Sequence, residues 1–142
     1  MIKKQTIMKA QLDAAVGVLE PLRVAISPEY LGLISTTGQA ITVISSTHLA
    51  DADAIAALAA CSFAATRQLA RVMEDSESTV MLHEGAELNI HIAQVTENVL
   101  LVVCFHKSSE IGIVRLITRR VVRVLSKALK SEIVEGDIDG TD

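Results

Sequence analysis

Histidine and cysteine are the residue types in this sequence that are best suited to metal or nucleophilic chemistry. The histidines and cysteines are His48, His83, His91, His106, Cys61 and Cys104. With a three-residue turn at 85–87, His83 and His91 become diagonal neighbours on one face of a hairpin, where two imidazoles could begin a metal site. No cysteine or carboxylate joins them by simple spacing, because Glu84 then points to the other face. We therefore predict that the two histidines are polar residues of a half-exposed or interface strand and that they do not form a metal site.

The short motifs that carry common enzyme chemistry are missing from the sequence. There is no G-x-x-x-x-G-K-[ST] phosphate loop, no G-x-G-x-x-G, no G-x-S-x-G and no C-x-x-C or H-E-x-x-H. Cys61 and Cys104 both lie in apolar runs, which predicts small core residues and no disulfide, as in a reducing compartment. We predict a cytoplasmic chain that is not an enzyme and has no catalytic residue and no cofactor.

A basic stripe is the strongest charge feature. Its members recur every four residues along a helix predicted over 110–130: Arg115, Arg119, Arg123 and Lys127. Residues 132–142 hold five acids and no base. The stripe is either a solvated helix face or a docking surface for an acidic protein partner, shielded at times by the acidic segment. The net charge of −4 gives no basic surplus, so nucleic acid is not an expected partner.

The composition predicts a single aliphatic core. The chain has 142 residues, of which 50% are hydrophobic but only Tyr30, Phe63 and Phe105 are aromatic. A chain of this length can bury one core, and the scarcity of aromatic residues disfavours base-stacking platforms. Residues 30–50 carry no formal charge but contain serine, threonine, glycine and glutamine throughout, which favours a hairpin over a membrane span.

Hydrophobic periodicity predicts eight elements that must position these side chains. A helix over 5–20 ends at Pro21, and strands at 30–35 and 40–46 flank a turn with Gly38. The later elements are a helix from Asp51 to Val72, strands at 78–84, 88–95 and 98–105, and the helix over 110–130. The last strand is apolar throughout, so it should lie centrally with both faces covered. The expected fold is an α/β (α+β) three-layer α/β/α sandwich with a mainly antiparallel five-stranded sheet, in the order α-β-β-α-β-β-β-α.

The second helix is apolar on both sides. Ile55, Leu58, Leu69 and Val72 on one side can pack on the sheet. The opposite side carries Ala56, Ala60, Phe63 and Ala64. Either another helix of the same chain or a symmetric partner helix covers that second side, and small alanine side chains permit close approach. We predict a homodimer.

The ordered set of elements resembles the Roadblock/dynein light chain family, especially its prokaryotic branch. The matching segments are Leu31-Gly32-Leu33-Ile34 with Gly38, the alanine-rich run 54–60, Glu84 to Ile90, Leu100-Leu101-Val102-Val103 and Ile111 to Arg115. On this basis, residues 1–131 form a Roadblock-like domain and residues 132–142 an acidic, disordered tail.

The resemblance implies a function and a set of site residues. Roadblock-like dimers form through the second helix and the adjacent edge strand. The implied interface residues here are Ala56, Ala57, Ala60, Phe63, Ala64, Met81 and His83. Such dimers bind Ras-like small GTPases and modulate GTP hydrolysis or the nucleotide cycle; the alternative is a scaffold or adaptor without effect on hydrolysis. Arg67 is the candidate arginine finger and, with the basic stripe, a candidate docking residue. A ligand-sensing sandwich is a third interpretation, which no polar cluster supports, and no membrane insertion is expected.

Overall fold

The computed structural model describes residues 9–47, 51–75 and 79–140, with side chains up to Leu129 except Ser45 and Ser46. It contains three helices and five strands in the predicted order. The elements are α1 (Lys9–Ile26), β1 (Tyr30–Ser35), β2 (Ala40–Ser46), α2 (Ala52–Val72), β3 (Val80–Glu84), β4 (Leu88–Thr96), β5 (Val99–His106) and α3 (Ile111–Gly140).

The sheet confirms the predicted architecture. Its strand order is β2-β1-β5-β4-β3, and every pairing is antiparallel. Strand β5 lies in the centre, and residues 99–105 of this strand are all buried. A central strand that contacts helices on both faces needs apolar side chains at every position, which explains why β5 shows no alternation.

The β1–β2 hairpin has the predicted boundaries. Its turn is closed by hydrogen bonds from the Gly38 N–H to the Ser35 carbonyl (3.0 Å) and from the Ser35 N–H to the Gln39 carbonyl (2.8 Å). Gly38 adopts a φ of 96°, which side-chain-bearing residues rarely tolerate. The glycine signal in the sequence therefore locates this turn.

The predicted β3–β4 register is wrong by one residue. We expected Val80 opposite Ile92 and Met81 opposite His91, but Val80 pairs with Ala93 and Met81 with Ile92. The turn holds four residues instead of three, closed by a 3.0 Å hydrogen bond from the Gly85 N–H to the Leu88 carbonyl. This one-residue shift gives every β3 residue a partner on β4 that differs from the predicted partner.

Helix α1 continues past Pro21, contrary to the prediction that it ends there. Pro21 is exposed, and the residue four positions earlier is Gly17, which has no side chain and open space around it. Proline has no N–H group, so the Gly17 carbonyl receives no hydrogen bond from Pro21. Because both residues are on the solvent side of the helix, water can hydrogen-bond to this carbonyl instead. The helix ends instead at Ile26, where Ser27 takes a φ of 50° and its N–H bonds to the Arg23 carbonyl at 2.9 Å, ahead of Pro28.

The helices form two unequal outer layers. Helices α1 and α3 share one core with Leu31, Leu33, Leu101, Val103 and Phe105 of the sheet. Helix α2 alone packs on the other face, where the core includes Tyr30, Ile34, Leu100 and Val102. One helix is too narrow to cover five strands, so part of the second face lies open.

Helix α3 is longer than the predicted 110–130. It runs Ile111–Gly140, so the backbone of the acidic segment 132–142, for which we expected disorder, is helical up to Gly140. A helix that is already nucleated extends at little cost, which composition alone does not show. The side chains of this segment lie outside the described residues.

Candidate dimer and docking surfaces

The two faces of α2 are exchanged relative to the sequence prediction. Ala56, Ala60 and Phe63, which we placed at a dimer interface, are buried in this chain's own core with Ala59. Phe63 offers the largest apolar surface on the helix, and the small alanines let the helix backbone approach the sheet closely. The sheet-facing side is therefore the one that carries the aromatic ring.

The face of α2 predicted to pack on the sheet is exposed. Leu58 is 68% exposed, Leu69 is 58% and Val72 is 71%, while Ile55 is half-buried at the flank. Several small residues share this outer face: Ala54, Ala57, Cys61, Ala64 and Ala65 are all exposed. No charged residue lies between Ala54 and Thr66, so the outer face forms a continuous apolar strip, called here the α2 strip.

An apolar groove continues the α2 strip across the sheet. It has a volume of about 430 Å³ and lies between α2 and the β3–β4 hairpin. Its lining includes Leu58 and Ser62 of α2, Met81 and His83 of β3, and Ile90 of β4. The two edge-strand residues predicted for the interface, Met81 and His83, thus lie beside α2, and the predicted interface residue Ala57 is exposed on α2 itself.

Cys61 and Cys104 have different environments, although both were predicted to be core residues. Cys104 on β5 is buried, and burial raises the pKa of its thiol to about 11. Cys61 is exposed in the middle of the α2 strip. The alanine-rich run around Cys61 is apolar on every side, so composition could not show which side faces solvent.

Arg67, the candidate arginine finger, does not extend outward from α2. It is half-buried, and its guanidinium carbon lies 5.8 Å from the centroid of the buried Phe63 ring, within the range of a cation–π contact. Arg67 therefore packs at the flank of α2 that faces the sheet, which holds the side chain instead of extending it outward.

The basic stripe lies on the opposite face of the molecule from α2. Arg119, Arg123 and Lys127 line a groove of about 590 Å³ between α3 and the end of β4, together with Glu97. Arg115 and Arg119 line a smaller cavity next to it. The helical spacing places all four cations along one side of α3, as predicted.

Two buried polar side chains were missed by the sequence prediction. His91 on β4 is 2% exposed and Thr118 on α3 is 1% exposed, and within the described part of the chain neither side chain has a hydrogen-bond partner. Burial, and then the positive charge of Arg115, lower the pKa of His91 to about 4, so the imidazole is neutral at pH 7. Thr118 does leave a signal: it lies one turn after Val114 and one turn before Val121, at a core position of the helix.

The predicted pairing of His83 with His91 on one sheet face is wrong. His83 pairs with Ile90 and faces α2, whereas His91 pairs with Leu82 and faces α3. His48 lies outside the described residues. Within the described ranges, no three histidine, cysteine or carboxylate side chains group as metal ligands would.

The described helices were compared with the requirements of a membrane span. None of them combines the length and the apolar character needed to cross a bilayer.

The fold is shared with solved structures of Roadblock proteins. MglB from Myxococcus xanthus is 26% identical, with a TM-score of 0.80 over 89% of this chain and 95% of that chain. Gliding protein MglB from Thermus thermophilus is 23% identical, with a TM-score of 0.79 over 92% of this chain and 99% of that chain. A Roadblock/LC7 domain from Streptomyces avermitilis is 14% identical, with a TM-score of 0.67 over 88% and 99% of the two chains. Comparison with curated protein sequences gives no match.

A family profile agrees with the structural likeness. The Roadblock/LC7 domain profile matches residues 19–105, from the middle of α1 to the last buried residue of β5. The strand order, the helix layers and this match point to the same conclusion. The chain belongs to the Roadblock/LC7 domain family, with a fold like that of MglB.

Proposed function

We propose that this protein is a homodimeric regulator of a Ras-like small GTPase. The observation that carries the dimer is the α2 strip together with the groove beside it. Folded monomers rarely leave so continuous an apolar surface in water. A second copy of the chain fits this surface best, because the small residues of the strip let two α2 helices approach closely.

The proposed interface keeps part of the predicted residue set. Ala57 and Ala64 contribute from the α2 strip with Leu58 and Cys61, and Met81 and His83 contribute from the groove. Ala56, Ala60 and Phe63 support the interface from below as core residues. Self-association is also the behaviour of a relative: one MglB structure has a tetrameric arrangement.

The GTPase partner follows from the family resemblance. The chain has the MglB-like fold, and Roadblock-like dimers are expected to bind Ras-like GTPases. On this proposal the protein supplies no catalytic group of its own and acts by holding the switch loops of the GTPase in one state. Arg123 and Lys127, in the groove of about 590 Å³, provide a positive surface for an acidic patch of that partner.

Binding to a purified Ras-like GTPase from the same genome tests the function. We expect the wild-type chain to bind one nucleotide state more tightly and to change GTP hydrolysis or nucleotide exchange. The double variant Arg123→Glu/Lys127→Glu should weaken binding at least about tenfold and reduce its salt dependence, because two cations become acids. Calorimetry at two salt concentrations and a single-turnover hydrolysis assay measure both effects.

A matched control separates docking from general charge effects. Lys107→Glu changes an exposed cation on the loop between β5 and α3 and should leave the affinity within about twofold. Binding without any change in hydrolysis or exchange would replace the regulator with a scaffold. Absence of binding in either nucleotide state would contradict the proposal.

Thiol labelling provides a second test of the proposed interface. Cys61 lies in the α2 strip, whereas Cys104 is buried with a pKa of about 11. We expect Cys104 to resist alkylation at neutral pH and Cys61 to react faster as dilution separates the subunits. Mass spectrometry of the labelled peptides measures both rates over a concentration series. A Cys61 rate that does not depend on protein concentration would place this residue outside the interface.

A further inference from the structure

A small cavity lies between α3 and the β3–β4 hairpin, on the face of the sheet away from α2. Its volume is about 170 Å³. The polar side chains in its lining are His91 and Gln94 of β4, Arg115, Thr118 and Arg119 of α3, and Thr79 before β3. Because liquid water takes up about 30 Å³ per molecule, a cavity of this size admits several waters or one small polar molecule.

Two side chains in this cavity have unused hydrogen-bonding capacity. Both ring nitrogens of His91 and the hydroxyl of Thr118 are buried without a hydrogen-bond partner among the residues that the structure describes. Leaving a buried polar group unsatisfied is costly, and native proteins rarely leave several together. Leu82 and Val103, the strand neighbours of His91, are apolar and supply no partner. A molecule bound in the cavity could supply hydrogen-bond partners to these groups.

The charges around the cavity favour an anion. Arg115 and Arg119 are the charged groups in its lining, and no carboxylate of a described residue lines it. Neither guanidinium forms an ion pair with a described residue. His91 does not add to the positive charge, because burial and Arg115 keep its pKa at about 4. Both arginines are exposed at the mouth of the cavity, and an anion between them would gain more from their positive charge than a water molecule would.

The cavity also has a route to solvent. Thr79, Gln94, Arg119 and Val122 line both the cavity and the groove of about 590 Å³ beside it. Arg123 and Lys127 line that groove further along α3, so an approaching anion meets positive charge along the way. Glu97 is the acidic residue in the described lining of the groove, and it does not line the cavity.

We propose that this cavity binds a small oxyanion of the phosphate or carboxylate type. Arg115 and Arg119 supply the compensating charge, while the Thr118 hydroxyl and one His91 ring N–H donate hydrogen bonds to the anion. Charge-assisted hydrogen bonds of this kind are stronger than neutral ones. The site is separate from the proposed dimer surface, because it lies on the opposite face of the sheet.

Histidine ring spectra of the full chain test this proposal, with inorganic phosphate and then acetate as probes at pH 7 and constant ionic strength. We expect at least one of the two to produce a saturable shift of the His91 ring resonances. His83 faces α2 and serves as an internal control whose resonances should not move. The bound anion should also raise the pKa of His91 by at least about one unit, because it favours the protonated ring.

Variants identify the residues that hold the anion. Arg115→Gln should weaken binding about tenfold or more and Thr118→Val about twofold to tenfold, as expected for a charged and a neutral hydrogen bond. Arg123→Gln changes a cation in the groove but not in the cavity, so the affinity should change by less than about twofold. Circular dichroism confirms that each variant is folded.

Two outcomes would overturn the proposal. The first is an absence of any His91 shift with either probe, which leaves the cavity to water. The second is a weak, non-saturating shift at tens of millimolar that is identical in the wild type and in Arg115→Gln, which indicates an adventitious ion only.

Discussion

Leu58→Asp is expected to dissociate the proposed homodimer into monomers. Leu58 is 68% exposed in the single chain and lies where the α2 strip meets the groove, so the substitution leaves the monomer core intact. In a symmetric dimer it would bury two carboxylates without partners. An unpaired buried charge costs several kcal/mol, so the dissociation constant should rise at least about a hundredfold. Sedimentation equilibrium measures the change.

Val24→Asp is the matched control for this experiment. Val24 on α1 is 66% exposed, so the same carboxylate is placed at an equally accessible apolar position on the other side of the sheet. We expect this variant to assemble like the wild type and to unfold at a similar denaturant concentration. If both variants dissociate equally, or if Leu58→Asp stays dimeric, the α2 strip is not the interface.

Acidification is expected to destabilise the fold through His91. Its pKa is about 4 in the folded protein, below the usual 6.5, because the ring is buried and faces Arg115. The unfolded chain therefore binds a proton between these values that the folded chain does not. The resulting contribution of His91 to the free energy of unfolding is fully present above pH 6.5 and is lost as the pH falls towards 4. The total loss is about 3 kcal/mol.

A substitution separates His91 from the carboxylates that also titrate in this range. His91→Leu removes the ionisable ring, so the loss of unfolding free energy between pH 7 and pH 4 should shrink by about 3 kcal/mol relative to the wild type. Val24→Ala is the control, because it changes an exposed side chain that does not ionise and should leave the pH profile unchanged. Urea titrations in chloride buffers without phosphate measure both. A His91→Leu profile parallel to that of the wild type would contradict the assignment.

The strands could be predicted from the sequence because their local signals are strong. The β1–β2 hairpin has one glycine at the turn position that needs a positive φ, and this glycine places the turn between 30–35 and 40–46. The uninterrupted apolar run of β5 identified the central strand for a similar reason. These features depend on a few residues that are close in the chain.

The details of the surfaces depend on choices that periodicity does not resolve. The prediction assumed a three-residue turn at 85–87, whereas the turn spans the four residues 85–88. This difference shifted the predicted β3–β4 register by one residue and placed His83 and His91 on one face. Helix α2 is apolar all round, so only packing decides that the Phe63 side faces the sheet. The burial of His91 and Thr118 together depends on α3 packing against β4, a contact between distant parts of the sequence.

The two faces of the sheet have different roles in this account. The α2 face carries a continuous apolar surface that a second copy of the chain can cover. The α3 face carries the basic stripe, with Arg115 and Arg119 at the cavity and Arg123 and Lys127 in the groove. A dimer formed through α2 would leave both α3 faces free for the proposed GTPase partner and for the proposed anion.

The molar mass of the wild-type chain in solution is the most direct test of the proposed homodimer, because the dimer depends only on the α2 strip and its groove. Sedimentation equilibrium over a wide concentration range should show a species of twice 15.2 kDa that dissociates on dilution. A single species of 15.2 kDa at every concentration would contradict the account.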